Sequence, residues 1–498
     1  MLYAVSFPKF GHPAFAWITL APLLVAVAMQ AVTGVGLRRV FFTGVLTGGV
    51  GFLGTIYWVV GTMHTYGGLA LPVALPVGLL LVAYLAIYPG IFAVLTAVAV
   101  RRLGVAGVWL SPLFWVATEW LRGVVGGGFP WVYLGTSQAT SLPVAQLASL
   151  VGVYGLSALV ALVGAAAAAV ALSRRRVHLA GAGAVALLLV AVVAFGAFRL
   201  AGSDLTRTGR VLRVGLVQGN VPQDQKWDPV YRQQILDRYM DLSRRVIGAG
   251  AGLVVWPEAS TPFFFDLDLS MAEPVRRLAM QSGTPFVIGT DEFEPGHDGV
   301  PDRIYNSAVL VGRDGRTRAT YRKMQLVPFG EYVPLKRLLF FVGPLVEAVS
   351  DFSPGTSPVV LEADDLRVST AICYESIFPW IARAFVDHGS ELLMTITNDA
   401  WFGTSSAAYQ HWDQGALRAI EEGRYVVRAA NTGFSGVVDP YGRVTVRSRL
   451  FESDALTADV RLLDGRTLYN RLGDVVVWLS LAVSAIMVGV AVLRRRRR

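Results

Sequence analysis

The sequence predicts two unlike parts, a multi-helix transmembrane domain and, after it, a layered α/β domain. Three observations predict this. Of 498 residues, 54% are hydrophobic and only 16% charged, against about 25% charged in an ordinary soluble domain. Residues 1–200 hold a single acidic residue, Glu119, whereas nearly all other carboxylates fall between Asp204 and Asp474. Within that acidic stretch, short apolar runs alternate with amphipathic ones. The divisions follow: 1–205 as a transmembrane helical domain of about six helices, 206–470 as the α/β domain, and 471–498 as a last transmembrane helix with a basic tail.

A spanning helix needs about 20 mostly apolar residues. Runs at 14–33, 39–61, 72–98, 106–124, 148–172 and 178–200 meet that need, and a seventh covers 475–493. The first run is long enough to span and shows no cleavage site, so it reads as a helix rather than a signal peptide. Arg38 and Arg39 follow the first run, Arg101 and Arg102 the third, Arg174, Arg175 and Arg176 the fifth, and Arg494 to Arg498 the seventh. The loops His64–Gly68 and Gly126–Gln138 carry no Lys or Arg. Basic loops stay cytoplasmic. The α/β domain is therefore expected on the periplasmic side of a bacterial plasma (inner) membrane and the C-terminus in the cytoplasm. The N-terminus then falls outside as well, which leaves room for one short helix at the start. The net charge of +9 comes largely from these clusters. No stripe of Lys and Arg interleaved with aromatics crosses the α/β part, so nucleic acid is not an expected partner.

In 206–470, strands are expected at Val211–Val217, Leu253–Trp256, Phe286–Gly289, Ala308–Val311, Leu366–Cys373, Leu392–Thr397, Tyr425–Ala430 and Gly436–Val438. Helices are expected over 230–247, where Ile235, Tyr239, Leu242 and Val246 share one face, and over 270–281 and 407–422. Alternating strands and helices favour layered α/β packing.

Three segments concentrate reactive residues. An apolar strand ends at Pro257 and sets Glu258 just past its C-terminal edge, where α/β sites are built. A loop braced by Pro328, Gly330 and Pro334 holds Lys323 and, eight residues on, Glu331. A third strand feeds into Cys373, the one cysteine of the chain, with a helix expected to follow near Pro379. Backbone N–H groups and the helix dipole at such a turn favour thiolate and can also serve an oxyanion. Taken singly, these residues also read as a loop carboxylate, a surface ion pair worth little and a small buried hydrophobe. Together they supply a nucleophile, a base and an oxyanion donor. A Cys-His-Asn set with His411 and Asn431 is the weaker alternative, because none of the histidines of the α/β part, His297, His388 and His411, sits in a strand-end motif.

The Glu-Lys-Cys set resembles the nitrilase superfamily, whose fold is an α-β-β-α sandwich. The phrases Gln218 to Gln223, Lys226-Trp227-Asp228, Trp256-Pro257-Glu258, Leu326 to Glu331, Ile372-Cys373-Tyr374-Glu375 and Thr397 to Gly403 resemble the apolipoprotein N-acyltransferase family, as do Glu119 to Gly123 and Phe129-Pro130-Trp131 in the membrane part. The likeness spans nearly the whole chain. The family carries eight membrane helices and seven are counted here; the one uncounted would be the first.

The resemblance implies a ping-pong acyl transfer through a Cys373 thioester. The donor is a phospholipid, and the acceptor is the α-amino group of a diacylglyceryl-cysteine lipoprotein. It implies Glu258 as general base, Lys323 with the Tyr374 N–H on the oxyanion, and Glu331 and Glu375 in support. Trp227, Trp401 and Phe402 would shape the acyl and head-group pocket, in contact with membrane lipids. Glu119 and Arg122, three apart on one helix face, read either as functional charges or as a structural ion pair. A membrane-anchored amidase and a non-catalytic scaffold are the competing classes. No Cys/His cluster has zinc-ligand spacing, and no metal or cofactor is expected.

Overall fold

The computed structural model describes residues 1–296, 302–328, 330–332 and 351–495, with side chains to residue 490. His297, Phe329, Val333, Pro334 and Arg496 to Arg498 lie outside the described residues. Helices fall where the apolar runs predict: Pro13–Val32, Leu37–Ile56, Leu71–Leu103, Ser111–Val124, Ala148–Leu172, Arg176–Gly202 and Val475–Arg495. Among the described residues, five stretches are long and apolar enough to cross a membrane, so this is a membrane protein. One of them, Leu71–Gly127, has 57 residues, about 85 Å if straight against a core of about 30 Å. It instead reverses near Gly104, so that the Phe92 and Trp115 rings meet at 5.1 Å.

Residues ahead of the first helix lie against the α/β domain. Lys9 Nζ donates to the Thr404 carbonyl at 3.1 Å and the Pro8 carbonyl accepts from Gln410. The N-terminal end of that helix is thus on the α/β side, as the charge pattern requires. The second run is not one helix. It breaks at Tyr57, and its continuation Trp58–Thr65 leans on the α/β domain through Trp58 against Phe402 and Thr62 Oγ1 on the Trp401 carbonyl.

Among the described residues the α/β part has twelve strands: β1 (Arg210–Gln218), β2 (Leu253–Val255), β3 (Phe286–Glu294), β4 (Arg303–Val311), β5 (Thr317–Arg322), β6 (Leu361–Ala363), β7 (Leu366–Ile372), β8 (Leu392–Thr397), β9 (Val426–Ala430), β10 (Gly436–Val438), β11 (Val444–Arg447) and β12 (Asp454–Leu462). They form two six-stranded sheets, ordered β12-β1-β2-β3-β4-β5 and β11-β10-β9-β8-β7-β6. In each sheet three central strands run parallel, β1-β2-β3 and β7-β8-β9, flanked by antiparallel neighbours. Leu212, Val214, Leu216, Leu253 and Val255 enter the core shared by the two sheets. Val217, Val254, Trp256 and Ile288 face the other way, under helices Arg232–Gly248 and Leu269–Ser282. Helices Pro379–Asp387 and Ser406–Glu422 cover the second sheet. The result is the expected α-β-β-α sandwich. All eight expected strands are present; β5, β6, β11 and β12 were not expected.

Helix Ser406–Glu422 is buried on nearly every side because it is also the floor of the membrane domain. Its Leu417 and Ile420 pack with Tyr133, Val144 and Val153. Trp131 Nε1 donates to Gln410 Oε1 at 2.7 Å, and the Val132 N–H to Gln414 Oε1 at 2.8 Å. Helix Ala148–Leu172 is broken at Gly152 (φ +66°), and the freed Val153 N–H is taken by Glu421 Oε1 at 2.8 Å. A Cβ on Gly152 would stand 2.4 Å from the Tyr469 ring. Gly152→Ala therefore combines left-handed strain with overpacking and is expected to cost about 1–3 kcal/mol. Thermal unfolding in detergent checks this: a lowered Tm is expected, and an unchanged one contradicts the joint described here.

Candidate active site

The site is built on the ends of β2, β5 and β7. β7 ends at Ile372, a tight turn covers Cys373–Ile377, and Pro379 opens the next helix. Cys373 sits at φ +52°, a region that costs a non-glycine residue about 1–3 kcal/mol and persists only when its surroundings enforce it. Glu375 enforces it from one side. Its Oε2 accepts the Ile372 N–H at 2.7 Å, while Oε1 accepts the Met324 and Gln325 N–H groups and the Tyr321 hydroxyl at 2.7, 3.1 and 2.8 Å. One carboxyl group thus ties the cysteine turn to the lysine loop. Burial pushes that carboxyl up to about 7, against the pull of these donors.

Glu258 follows β2 as expected, and Gly289 of β3 lets it pass closely: a Cβ there would lie 2.3 Å from the Pro257 carbonyl oxygen. Lys323 leaves β5 held by its backbone, its N–H on the Asn306 carbonyl at 2.9 Å. Its side chain is 1% exposed, and Nζ lies 2.8 Å from Glu331 Oε1 and 3.3 Å from Glu258 Oε1. Asn306 Nδ2 donates to the same two oxygens, at 2.8 Å to Glu258 and 2.9 Å to Glu331. The Asn398 N–H donates to Glu258 Oε2 at 2.8 Å. The buried Lys226 ammonium donates to the Glu258 carbonyl at 3.1 Å.

These neighbours fix the charges. Burial pushes the Glu258 carboxyl up, but Lys323, Asn306, Lys226 and the Asn398 N–H together hold it below the usual range. Burial alone would discharge Lys323, but Glu331, Glu258 and Cys373 hold it cationic, well above its ordinary value. The thiolate expectation for Cys373 is corrected. Burial and the Glu258 charge push the thiol well above its ordinary value, and Lys323 and the Thr397 hydroxyl do not offset them. A turn at a helix start counts for less than burial beside an anion. The resting site therefore holds a neutral thiol next to an ionised carboxylate that is free to accept a proton.

Of the supporting residues, Glu331 lies on Lys323 and Glu375 under the turn, as described. The Tyr374 N–H stands in the first turn after Cys373, where a helix leaves its donors free, and the Tyr374 hydroxyl reaches the Gly128 carbonyl of the membrane domain at 3.1 Å. Trp227 is 48% exposed and Trp401 37%. Phe402 is more enclosed, with Trp58 at 5.0 Å, Trp131 at 5.6 Å and His411 at 5.7 Å. Glu119 and Arg122 grip the loop between the domains instead of forming an isolated pair. Glu119 Oε1 accepts the Leu134 N–H at 2.6 Å, and Arg122 Nη1 donates to the Phe129 and Trp131 carbonyls at 2.9 and 2.7 Å. The alternative Cys-His-Asn set is not assembled: His411 meets the Cys373 carbonyl and Asn431 bonds Val221 and Asn398. Asn306 was not singled out from sequence, and Lys226 entered only within a family phrase, with no role given to it. A lone amide inside the apolar strand Ile304–Val311 was the available signal for the first.

Among the described residues, no group of three or more His, Cys, Asp or Glu could hold a metal ion.

The carbon-nitrogen hydrolase family matches residues 213–469, and the apolipoprotein N-acyltransferase N-terminal domain matches residues 1–166. The apolipoprotein N-acyltransferase of Geobacter metallireducens is 38% identical over 99% of this chain and 94% of its own length. That of Methylococcus capsulatus is 35% identical over 100% and 95%, and that of Shewanella oneidensis 34% over 97% and 92%. A solved amidase of the nitrilase superfamily from Nesterenkonia is 22% identical over 52% of this chain and 93% of its own, with a TM-score of 0.40, too low to bear weight.

Because Cys373 is the one cysteine, its protonation is directly measurable. The rate of iodoacetamide alkylation is expected to be low at pH 7 and to keep rising above pH 9, where an ordinary thiol near pKa 8.5 levels off. A plateau below pH 8 would contradict a burial-raised thiol.

Proposed function

The chain belongs to the apolipoprotein N-acyltransferase family, and on that premise we propose that it moves an acyl chain from a membrane phospholipid to the α-amino group of the N-terminal S-diacylglyceryl-cysteine of lipoproteins. This completes their maturation. The observation that carries the reading is the buried Glu258–Lys323–Cys373 set, with an ionised base beside a neutral thiol.

As Cys373 Sγ attacks the donor ester carbonyl, Glu258 accepts the thiol proton. The carbonyl oxygen takes up the negative charge between Lys323 Nζ and the Tyr374 N–H. Collapse expels the lysophospholipid, which leaves with the proton from Glu258, and a thioester remains. The acceptor amine then attacks the thioester, Glu258 takes a proton from nitrogen, and Cys373 departs as thiolate and is reprotonated. A thioester stays activated toward an amine, which suits transfer between two lipids. Glu331 keeps Lys323 charged and placed, and Glu375 holds the nucleophile turn.

Residues 1–205 serve as the platform, 206–470 as the catalytic domain on the periplasmic face of the inner membrane, and 471–498 as the last helix with a cytoplasmic tail. The supporting observation is the alternation of basic and uncharged loops. Trp227, Trp401 and Phe402 border the acyl and head-group pocket, with the more exposed tryptophans toward lipid.

Two variants test this with phospholipid as donor and a diacylglyceryl-cysteine peptide as acceptor. Cys373→Ala is expected to abolish N-acylation, and appreciable residual transfer would remove the thioester. Lys323→Met, if folded, is expected to lose about 10²–10³ in rate, the worth of one oxyanion donor. A near-normal rate would reduce Lys323 to a structural part.

A further inference from the structure

Glu375 braces only the entry to the strained nucleophile. The exit is held at Cys373's own carbonyl oxygen, which accepts from Ser376 Oγ at 2.9 Å and lies 3.1 Å from His411 Nε2. Nε2 also lies 3.0 Å from Ser376 Oγ; a carbonyl oxygen can only accept, so His411 holds it only with the ring hydrogen on Nε2. The His411 side chain is entirely enclosed. Asp399 Oδ1 and Arg428 Nη2 stand 3.0 and 2.9 Å from Nδ1, and Arg428 Nη2 is also 2.7 Å from Asp399 Oδ2. The Thr397 hydroxyl donates to Asp399 Oδ1 at 2.8 Å. Trp131 of the membrane domain stacks on the imidazole at 5.6 Å and 29°. Every side of the ring is therefore fixed. Among the described residues, no hydrogen bond joins it to the thiol. None of these contacts belongs to the proton transfers described above.

We propose that His411 is a positioning residue for the nucleophile: its Nε2–H clamps the Cys373 carbonyl and holds Cys373 in the left-handed conformation that presents the thiol to Glu258 and Lys323. Asp399 and Arg428 fix the ring from behind. Trp131 closes its face, so the membrane domain reaches the reacting sulfur through one ring. The proposal rests on Cys373 as the acyl-accepting group.

Glutamine places its amide nitrogen near the Nε2 position of histidine, and asparagine places its own near Nδ1. The test is single-turnover acylation of Cys373 by phospholipid in the full-length protein. His411→Leu and His411→Asn are expected to acylate up to about 10²-fold more slowly, the scale of a small misplacement of a reacting group. Half-saturation by phospholipid should not change. His411→Gln is expected to recover most of the wild-type rate. Equal rates for the Gln and Asn variants, or a wild-type rate for Leu, would overturn the proposal. Wild-type protein that forms no acyl-enzyme would instead sink the proposed function, so the two failures are distinguishable. Should the variants not fold, nitrogen-15 NMR of histidine-labelled wild-type protein decides. Hydrogen on Nε2 of His411 supports the clamp, and hydrogen on Nδ1 alone overturns it.

Discussion

The ammonium of Lys323, shut away from water between Glu258 and Glu331, is the interaction on which the rest of the site depends. Unpaired, such a charge would be driven to neutrality by burial. Paired with two carboxylates at 2.8 and 3.3 Å, it stays cationic and in turn keeps Glu258 ionised in a place where burial would protonate it. Removing one partner of such a cluster typically costs about 3–5 kcal/mol. That cost explains the extra donors: Asn306 bridges both carboxylates, and Lys226 and Asn398 pin Glu258 by its main chain and its second oxygen. The same cluster sets the state of the thiol. An ionised Glu258 beside a buried sulfur opposes a second negative charge there, so the proton stays on Cys373.

The membrane helices do more than anchor this site. The Phe129–Leu134 segment is gripped from within the bundle by Glu119 and Arg122. It then inserts Trp131 and Val132 into helix Ser406–Glu422 through Gln410 and Gln414. Gln325 of the lysine loop reaches the Gly127 carbonyl, and Tyr374 the Gly128 carbonyl. Two of the three loops that carry the candidate catalytic groups, those of Lys323 and Cys373, are therefore tied to the membrane part. A site assembled in this way is fixed relative to the membrane helices.

The central strands were legible because they are covered on both faces, which makes them continuous apolar runs such as Val254–Val255 and Leu392–Thr397. The unexpected strands are edges or lie next to the solvent. β11 is mostly exposed, and β12 is buried only near its end. Their sequences, Val444–Arg447 and Asp454–Leu462, alternate apolar with charged or polar residues and give no run to detect. The break at Tyr57 was hidden for the opposite reason: composition stays apolar across it, and the contacts made there, Trp58 on Trp131 and Phe402 and the Ser406 N–H on the Tyr57 hydroxyl, come from distant parts of the chain. Within the site, Glu258 and Cys373 were legible as strand-end residues and Lys323 as part of a braced loop. Asn306 and the clamp by His411 were not, because each acts on a residue far away in the chain. The thiol's state was misjudged from local turn geometry, since burial is a property of the folded core.

The most direct measurement of the central claim is the mass of the intact protein after incubation with phospholipid and no acceptor. A gain of one acyl chain is predicted on the peptide that contains Cys373, and it should be lost when a diacylglyceryl-cysteine peptide is added. A folded protein that gains no mass would contradict the account, as would an adduct that discharges only to water.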